Sequence, residues 1–476
     1  MNNPPDQEPI PLDAYADARP ALKIVTPDAE GLAPQPLSDD HLADCFIRMH
    51  GQDWRYVARW GKWYFFDGDG WREDAKDAVM GAAKGITRAA LSMAAAKPLT
   101  GPALKKVNSV RQAKDLLIFA RSDADIAATV DQWDVDGYLL GVPGGVVDLR
   151  LGKDLEAVRE HYITKRCTVA PASGRPELWL KFLETCTGGD TSVRDYLQRF
   201  AGYCLTGETV EQMMMFFYGL GANGKSTFLQ VLTHIMGDYA VSGNIDTFME
   251  QKNPAHSTEL ARLNSARLVV VEETTSGGRW SEGKIKKLTG GGKIAAHFMR
   301  QDDFEFEPKF KLLVAGNHKP VIKSVGEAMR RRLHIVPFLN IVPEADRDPE
   351  LLNKLKAEAP QILSWMIDGC LAWQDCRLGK PEAVEQAIED YLQQEDTIGA
   401  WLEECCERKS SGVTSGAVLY KNYQDWCETQ GETIWSKKAL STALLELGFT
   451  QVRSETTRSF KGLVVKVAPS YSDIRG

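Results

Sequence analysis

The chain lacks the features that mark membrane-spanning, secreted and zinc-ribbon proteins. No stretch of its 476 residues approaches the ~20 consecutive apolar residues that a membrane helix needs. The first residues, MNNPPDQEPIPLD, are polar and proline-rich, which argues against a secretory signal. The nine cysteines include no CxxC pair, so neither a zinc ribbon nor a disulfide framework is indicated. We therefore expect a cytoplasmic protein with no membrane partner.

The chain also lacks an overall basic charge. Its formal net charge is −8 and its pI is near 5.7, so any contact with nucleic acid must come from local patches or from a channel lined by several subunits. The length allows two to four domains.

Changes in composition and periodicity predict five regions along the chain. They are a flexible N-terminal arm (1–45), an N-terminal α+β domain (46–175), an α/β core on a largely parallel sheet (176–345), a helical connection (346–386) and a compact C-terminal unit (387–476). Within the second region, aromatic residues and a Gly/Asp turn between Trp54 and Trp71 predict a β-hairpin.

The strongest motif follows an apolar run of strand length at 213–218. Residues 219–226 read GLGANGKS, which fits G-x-x-x-x-G-K-[ST], and a helical pattern begins at Thr227. Glycines let backbone N–H groups surround a phosphate, while Lys225 reaches the β- and γ-phosphates and the Ser226 hydroxyl binds Mg²⁺. The chain is therefore expected to bind and hydrolyse ATP with Mg²⁺. The predicted ATP-binding residues are Gly219, Gly221, Ala222, Asn223, Gly224, Lys225, Ser226 and Thr227.

Two further apolar strands end in polar residues suited to nucleotide hydrolysis. The strand at 267–271 runs into Glu272, which we assign to Mg²⁺, and Glu273, which we assign to the attacking water. The strand at 310–315 ends before Asn317, whose amide suits the γ-phosphate or that water.

An arginine run precedes a further strand. It reads MRRRLHIVPF, and an arginine acting across a subunit boundary would neutralise transition-state charge. Arg331 and Arg332 are the candidates, although the sequence leaves the choice among residues 330–332 open. A solvated basic turn is the alternative.

Together these motifs resemble the superfamily 3 helicases of small DNA viruses, phages and plasmids, and especially the helicase half of the phage/plasmid primase–helicases, which are relatives of the poxvirus primase–helicase. The stretches that carry the resemblance are YGLGANGKST, RLVVVEET, FKLLVAGNHKP and MRRRLHIVPF, with GGVVDLRLGK, HYITKRC and YLQRFAGYCLTG upstream. The resemblance implies a modified AAA+-like P-loop core, a homohexameric ring and 3′→5′ movement on single-stranded or forked DNA during phage or plasmid replication, in the host cytoplasm if a phage encodes the chain. Many relatives carry an N-terminal primase domain for which there is little room here, so we expect no priming activity and leave a separate primase partner open.

Two segments are candidates for DNA contact. Alternation around residues 298–301 predicts a β-hairpin, which in the resembling family projects into the ring channel, and Arg300, Lys293 and His297 would then hold DNA phosphates. At the C-terminus, two helical patterns followed by two strands predict a winged helix with Lys437 and Lys438 on its DNA-reading helix. Winged helices also bind proteins, so that partner stays open.

Three functions fit parts of this pattern. The first is a replicative DNA helicase, and the second is an ATP-gated initiator or loader that binds DNA without unwinding it. The third, a P-loop kinase for small molecules, gives no reason for the hairpin insertion or the C-terminal unit.

Overall fold

The computed structural model describes residues 37–94, 109–219, 221–250, 257–272, 279–297, 303–317, 327–395, 397–432, 434–453 and 458–466. Backbone contacts divide the described chain into two units. One comprises the residues up to 65 together with 73–129, and the other comprises 66–72 with the residues from 130 onward. Residues 130–175, predicted to lie in the N-terminal domain, thus belong to the second unit.

In its described residues, the N-terminal part of the chain combines three helices with short strands. They are α1 (Asp39–His50), β1 (Trp54–Val57), β2 (Lys62–Phe66), β3 (Trp71–Glu73), α2 (Ala78–Ala94), α3 (Val110–Ala120) and β4 (Ala127–Ala128). β1 pairs antiparallel with β2 and parallel with β4. A hairpin is thus present between Trp54 and Trp71, but it turns at residues 58–61, before the predicted Gly/Asp turn, in which the Asp67 N–H donates to the Gly70 carbonyl oxygen at 3.0 Å. Phe46, Trp63 and Leu116 lie in the core of this unit.

Helix α1 begins earlier than the predicted order. The arm was expected to reach residue 45, but the Ser38 hydroxyl accepts a hydrogen bond from the His41 N–H at 3.2 Å, and Asp39 and Asp40 occupy the first turn. A capped N-terminus with acidic residues stabilises a helix at this point. The remainder of the predicted arm, residues 1–36, lies outside the described residues.

The second unit opens with a small antiparallel sheet and continues into a larger α/β body. Up to the end of that body, its elements are β5 (Leu139–Val142), β6 (Gly145–Asp148), β7 (Lys153–Leu155), α4 (Glu177–Cys186), α5 (Thr191–Leu205), β8 (Met214–Tyr218), α6 (Lys225–Met236), β9 (Ala240–Ser242), α7 (Ser257–Arg262), β10 (Leu268–Glu272), α8 (Glu282–Thr289), β11 (Ile294–Ala296), β12 (Phe304–Phe306), β13 (Lys311–Gly316), α9 (Glu327–Arg330), β14 (Leu333–Pro337), α10 (Leu351–Ala357), α11 (Ala359–Cys376) and α12 (Glu382–Glu395).

Five strands form the central sheet in the order β14-β8-β13-β10-β9, and all four neighbouring pairs are parallel. The four residues Leu268 to Val271 of β10 are all buried, as are all six residues of β13. Continuous apolar runs of this kind are typical of parallel strands that are covered on both faces. The predicted parallel α/β sheet is therefore confirmed.

Helices α5 and α11 approach each other closely through glycines. A Cβ on Gly202 would lie 2.0 Å from the Cys370 nitrogen, and one on Gly369 would lie 2.1 Å from the Gln198 carbonyl oxygen. Helix backbones come this close only where side chains are absent. This contact joins α5, which precedes the central sheet in the chain, to α11, which follows it.

The C-terminal part has a core of its own. Its elements are α13 (Thr397–Cys405), β15 (Cys406–Ser415), α14 (Gly416–Gln430), α15 (Lys437–Glu446), β16 (Thr450–Arg453) and β17 (Arg458–Val465), and the three strands pair antiparallel in the order β15-β17-β16. Trp401, Tyr423 and Phe460 are buried in this core.

The predicted boundary at residue 387 divides a helix. Val384 and Ile388 of α12 pack in the large core of the second unit, and the separate C-terminal core begins at Ile398. The two predicted helices and the two predicted strands of the C-terminal unit are present, and strand β15 is an addition. No helix among the described residues has the length and apolarity needed to cross a membrane.

We predict that Gly202→Ala destabilises the protein by about 1–3 kcal/mol or more, because the added methyl group meets backbone atoms that cannot move aside. Gly85→Ala is the matched control. Gly85 also lies within a helix, and an added Cβ there has nothing within 4 Å. This substitution should stabilise α2 by roughly 0.5–1 kcal/mol, because alanine is favoured over glycine in a helix. Urea unfolding of both variants measures the two effects, and equal stabilities would contradict the close helix packing.

Candidate functional site

The parallel sheet brings three chain segments to one edge. β8 leads into the glycine-rich loop, residues 219–226, while β10 ends at Glu272 and β13 ends just before Asn317. The carboxyl ends of parallel strands meet at the same edge, where ligands commonly bind in α/β proteins. A cavity of about 340 Å³ lies there, lined by Gly221, Ala222, Asn223, Gly224, Lys225, Ser226, Thr227, Glu272, Ala315, Gly316 and Asn317. The predicted loop, acid and amide residues are therefore brought together.

Backbone conformations in the glycine-rich loop explain its glycines. Gly221 and Gly224 have φ values of +101° and +88°, a region that side chains rarely tolerate, and Ala222 adopts +50° as a non-glycine residue. Gly219 is needed for a different reason, because a Cβ there would lie 2.1 Å from both the Asn223 Nδ2 and the Phe338 carbonyl oxygen. The loop ends at the N-terminus of α6, whose 12 residues give it a positive dipole end. Leu220 lies outside the described residues.

Lys225 is the cation of this edge. Its side chain is 6% exposed, and its Nζ donates to the Gly219 carbonyl oxygen at 2.6 Å, to the Asn223 Oδ1 at 3.0 Å and to the Asn317 Oδ1 at 3.2 Å. Burial lowers the pKa of Lys225 below its usual value. Three neutral oxygens thus hold a positive charge beside the cavity, where an anion would be attracted to it.

Hard oxygen ligands lie beside this lysine. Ser226 and Glu272 both line the cavity, and a hydroxyl and a carboxylate are ligands that suit Mg²⁺. Mg²⁺ usually takes only one or two protein ligands. In the described part of the chain, no group of three or more His, Cys, Asp or Glu side chains could hold a metal ion. Glu273, the predicted partner of the attacking water, lies outside the described residues.

A segment that the sequence did not single out runs beside the loop. After β14, the Phe338 N–H donates to the Tyr218 carbonyl oxygen at 2.7 Å, and the Val342 N–H donates to the Ala222 carbonyl oxygen at 2.9 Å. The Asn340 Nδ2 donates to the Thr185 carbonyl oxygen at 2.6 Å, at the end of α4. We call residues 338–342 the strap. No motif marks it, because its partners are backbone atoms that any sequence supplies.

Helix α4 supports the loop from another side and was also missed as a site element. A Cβ on Gly224 would lie 2.3 Å from the Cys186 Sγ and 2.9 Å from the Phe182 ring. The N-terminus of α4 is capped by the carboxylate of Glu358, a residue far away along the chain. This carboxylate accepts hydrogen bonds from the Leu178 and Trp179 N–H groups at 3.1 and 3.0 Å. The spacing of apolar residues predicts this helix but not what it packs against.

The three arginines of the run have different surroundings. The Arg330 Nη2 lies 2.5 Å from the Glu389 carboxylate. Arg332 is buried, and its guanidinium donates to the Thr289 Oγ1 at 3.2 Å, the Ala328 carbonyl oxygen at 2.9 Å and the Gln212 Oε1 at 3.3 Å. Arg331 is exposed. All three precede β14 and therefore lie at the amino ends of the strands, whereas the cavity lies at their carboxyl ends.

Strand β14 carries a buried histidine just after these arginines. His334 is 4% exposed, and its Nδ1 lies 2.5 Å from the Tyr196 hydroxyl. Burial lowers the pKa of His334 from 6.5 to about 3. The imidazole is therefore neutral near pH 7, and protonating it would leave a buried charge in the core.

The candidate DNA-binding residues within the described part of the chain do not line the cavity. β11 and β12 form the predicted antiparallel hairpin, next to which Lys293 is exposed and the His297 Nδ1 lies 3.1 Å from the Asp303 Oδ1. Arg300, at the predicted tip, lies outside the described residues. Lys437 and Lys438 are exposed at the start of α15 in the C-terminal part.

Comparison with known proteins matches two family models to this chain. The model described as "D5 N terminal like" matches residues 43–188, and a "Family of unknown function (DUF5906)" matches residues 217–332. The second match covers the glycine-rich loop, the acid strand and the arginine run.

Three viral proteins are similar to part of this chain. A putative helicase, L207/L206, of Acanthamoeba polyphaga mimivirus is 27% identical over 325 residues, which cover 62% of this chain and 33% of that protein. Putative helicase 022R of Frog virus 3 is 27% identical over 259 residues, covering 50% and 26%, and Primase D5 of Fowlpox virus is 25% identical over 150 residues, covering 30% and 19%. The chain spans a third or less of the length of these relatives.

Among solved structures, the apo structure of the C-terminal region of NrS-1 is similar in fold. It has a TM-score of 0.50 at 10% identity and covers 90% of this chain and 100% of that one. The class defined by the fold and the site is a mixed α/β protein with a parallel sheet and a polar cavity at its carboxyl edge. Within that class, the chain is similar to viral proteins named putative helicases and to a D5-type primase, which confirms the resemblance predicted from its motifs.

We predict that His334 makes the folded protein acid-sensitive. Its pKa is about 3 when folded and near 6.5 when unfolded, so the unfolded chain takes up the proton first. The stability is fully present above pH 6.5 and is lost as pH falls from there towards 3, by about 1.4 kcal/mol per pH unit.

Denaturant unfolding of wild type and His334→Gln between pH 7.5 and 4.5 tests this. The other titrating groups are common to both proteins, so the stability advantage of wild type over the variant should shrink below pH 6.5. An advantage that does not change with pH would contradict a buried neutral imidazole at this position.

Proposed function

We propose that this protein is itself a ring-forming DNA helicase, powered by its own ATP hydrolysis, in phage or plasmid DNA replication. The observation that carries the proposal is the joint placement of Lys225, Ser226, Glu272 and Asn317 around one cavity at the carboxyl edge of a parallel sheet. A nucleoside triphosphate needs backbone N–H groups, a lysine, a hydroxyl and a carboxylate in such an arrangement.

Each residue has a chemical role in this proposal. The loop N–H groups and the N-terminus of α6 bind the phosphates, and Lys225 exchanges its protein oxygens for phosphate oxygens. Ser226 and Glu272 would hold Mg²⁺, whose charge neutralises the phosphate oxygens during transfer. Asn317 contacts the γ-phosphate or the attacking water. Glu273 remains the predicted base for that water.

The position of the arginines supports catalysis across a subunit boundary. Leu333 pairs with Met214 and Pro337 with Tyr218, so the arginines enter β14 at the end where β8 begins. The glycine-rich loop follows the other end of β8, at least four residue steps, or roughly 13 Å, further along. An arginine at the first end can therefore complete only the site of another chain. We assign this role to Arg331, since Arg330 is paired with Glu389 and Arg332 is buried among its own partners.

Contacts with DNA form the third part of the proposal. Two of the viral relatives are named putative helicases. Lys293, His297 and Arg300 of the hairpin, repeated around a ring, would supply positive charge that the acidic chain lacks overall. In the C-terminal part, two helices followed by an antiparallel strand pair suit a winged helix that would present Lys437 and Lys438 to DNA.

We predict that Lys225→Ala abolishes ATP hydrolysis while the protein stays folded. The hydrogen bonds of the lysine go to the loop and Asn317, and without it the β- and γ-phosphates lose their cation. Lys181→Ala, at an exposed lysine on α4, is the matched control and should keep the wild-type rate. A Lys225→Ala protein that hydrolyses ATP at the wild-type rate would remove the assignment of the loop.

A strand-displacement assay on forked DNA separates the helicase from the initiator or loader alternative. Both would bind DNA and hydrolyse ATP, whereas only the helicase releases the displaced strand in an ATP-dependent reaction. ATP hydrolysis without displacement on either 3′- or 5′-tailed forks would favour the initiator or loader.

We predict that Arg331→Ala and Lys225→Ala complement each other. Each variant alone should be nearly inactive, since one lacks the trans arginine and the other the loop lysine. Mixed rings contain interfaces that join an intact loop to an intact arginine, so measurable ATPase activity should return. Mixing experiments at several protein concentrations measure this. ATPase activity per chain that stays constant down to monomeric concentrations, with no recovery on mixing, would overturn the ring.

A further inference from the structure

Asn223 has a role that the phosphate-binding motif does not give it. It occupies one of the variable positions between the glycines, where the motif accepts any residue. Yet its side chain is only 2% exposed and both of its polar atoms are used. A buried amide with two partners is a constraint of the fold.

The two partners of Asn223 lie on different elements. Its Nδ2 donates to the Phe338 carbonyl oxygen at 2.6 Å, and its Oδ1 accepts from the Lys225 Nζ at 3.0 Å. Reversing the amide would place NH₂ against an ammonium and oxygen against a carbonyl, so these partners fix its orientation. Asn223 therefore connects the lysine to the first residue of the strap.

The strap is the direct continuation of β14. That strand begins after the arginine run and ends at Pro337, one residue before Phe338. The Gly219 position leaves room for the connection, because any Cβ there would lie between the Asn223 amide and the Phe338 carbonyl. Lys225, Asn223 and the strap thus form one continuous path from the cavity to β14, the strand that begins two residues after Arg331.

We propose that Asn223 is a positioning residue that couples the occupancy of the cavity to strand β14 and hence to the arginine at its far end. The inference rests on the proposed ATPase function. When Lys225 turns to a phosphate, the Oδ1 of Asn223 loses its hydrogen-bond donor. The hydrogen bond from the Asn223 Nδ2 to the Phe338 carbonyl oxygen, which links the loop to the strap, then changes. A nucleotide bound in one chain would in this way adjust the arginine that the same chain offers to its neighbour.

The test uses the full chain with Asn223→Ala, Asn223→Asp and Asn340→Ala. The first variant removes both hydrogen bonds. The aspartate keeps an acceptor for Lys225 but cannot donate to the Phe338 carbonyl. Asn340→Ala is the matched control, because it removes a strap hydrogen bond to Thr185 that does not involve Lys225.

Three measurements are made on each protein. They are kcat and KM for ATP, the Kd of a non-hydrolysable ATP analogue, and amide hydrogen exchange over residues 333–342 with and without that analogue. For Asn223→Ala we expect kcat to fall at least about tenfold while the Kd stays within about threefold of wild type, since the loss is one of alignment. The change in hydrogen exchange that the analogue causes over residues 333–342 should disappear in this variant. Asn340→Ala should retain it, with wild-type kcat.

The other outcomes separate the ideas. Wild-type kcat and exchange in Asn223→Ala, beside an active wild type, would overturn the coupling alone. Recovery of kcat by Asn223→Asp would show that contact with Lys225 matters and the tie to the strap does not, which also overturns it. A parallel fall in melting temperature and analogue binding would make Asn223 merely structural. A wild type that binds no nucleotide would overturn the proposed function and this inference with it.

Discussion

The register of the parallel sheet decides at which end of its strands each of the flanking charged side chains lies. Because β8, β10 and β13 run in the same direction, the glycine-rich loop, Glu272 and Asn317 emerge at one edge within reach of Lys225. The same register puts the arginine run at the other edge. Under the proposed function, a mechanism that needs both Lys225 and an arginine of residues 330–332 would therefore draw them from two chains.

The two edges treat their cations differently. At the amino edge, the Arg267 Nη1 and Nη2 donate to the Leu205 and Leu139 carbonyl oxygens at 2.5 and 2.8 Å, and the Lys311 Nζ donates to the Thr206 carbonyl oxygen at 2.5 Å. These groups close the C-terminal end of α5, where a positive charge is favoured by the helix dipole. Burial lowers the pKa of Lys311 to about 7, which is the electrostatic cost of placing an ammonium there.

At the carboxyl edge, two of the three partners of Lys225 are side-chain amides instead. A backbone carbonyl at the end of a packed helix cannot move without the helix, whereas the Asn317 amide can turn about its own side-chain bonds. The cations of the two edges thus have different acceptors: backbone carbonyls at the amino edge, and mostly side-chain amides at the carboxyl edge, where the cavity lies.

Features that depend on local sequence could be predicted, and features that depend on contacts between distant segments could not. The loop, the acid strand and the Asn317 strand are local patterns of apolar runs followed by particular residues, and the structure joins them as expected. The strap and the packing of Cys186 under Gly224 depend on contacts between distant segments whose residues carry no motif. Strand β15 was missed because CERKSSGVTS has few apolar residues and owes its conformation to pairing with β17. The different surroundings of the three adjacent arginines could not be predicted from the sequence. They depend on the partners Glu389, Thr289 and Gln212, which lie on other parts of the chain.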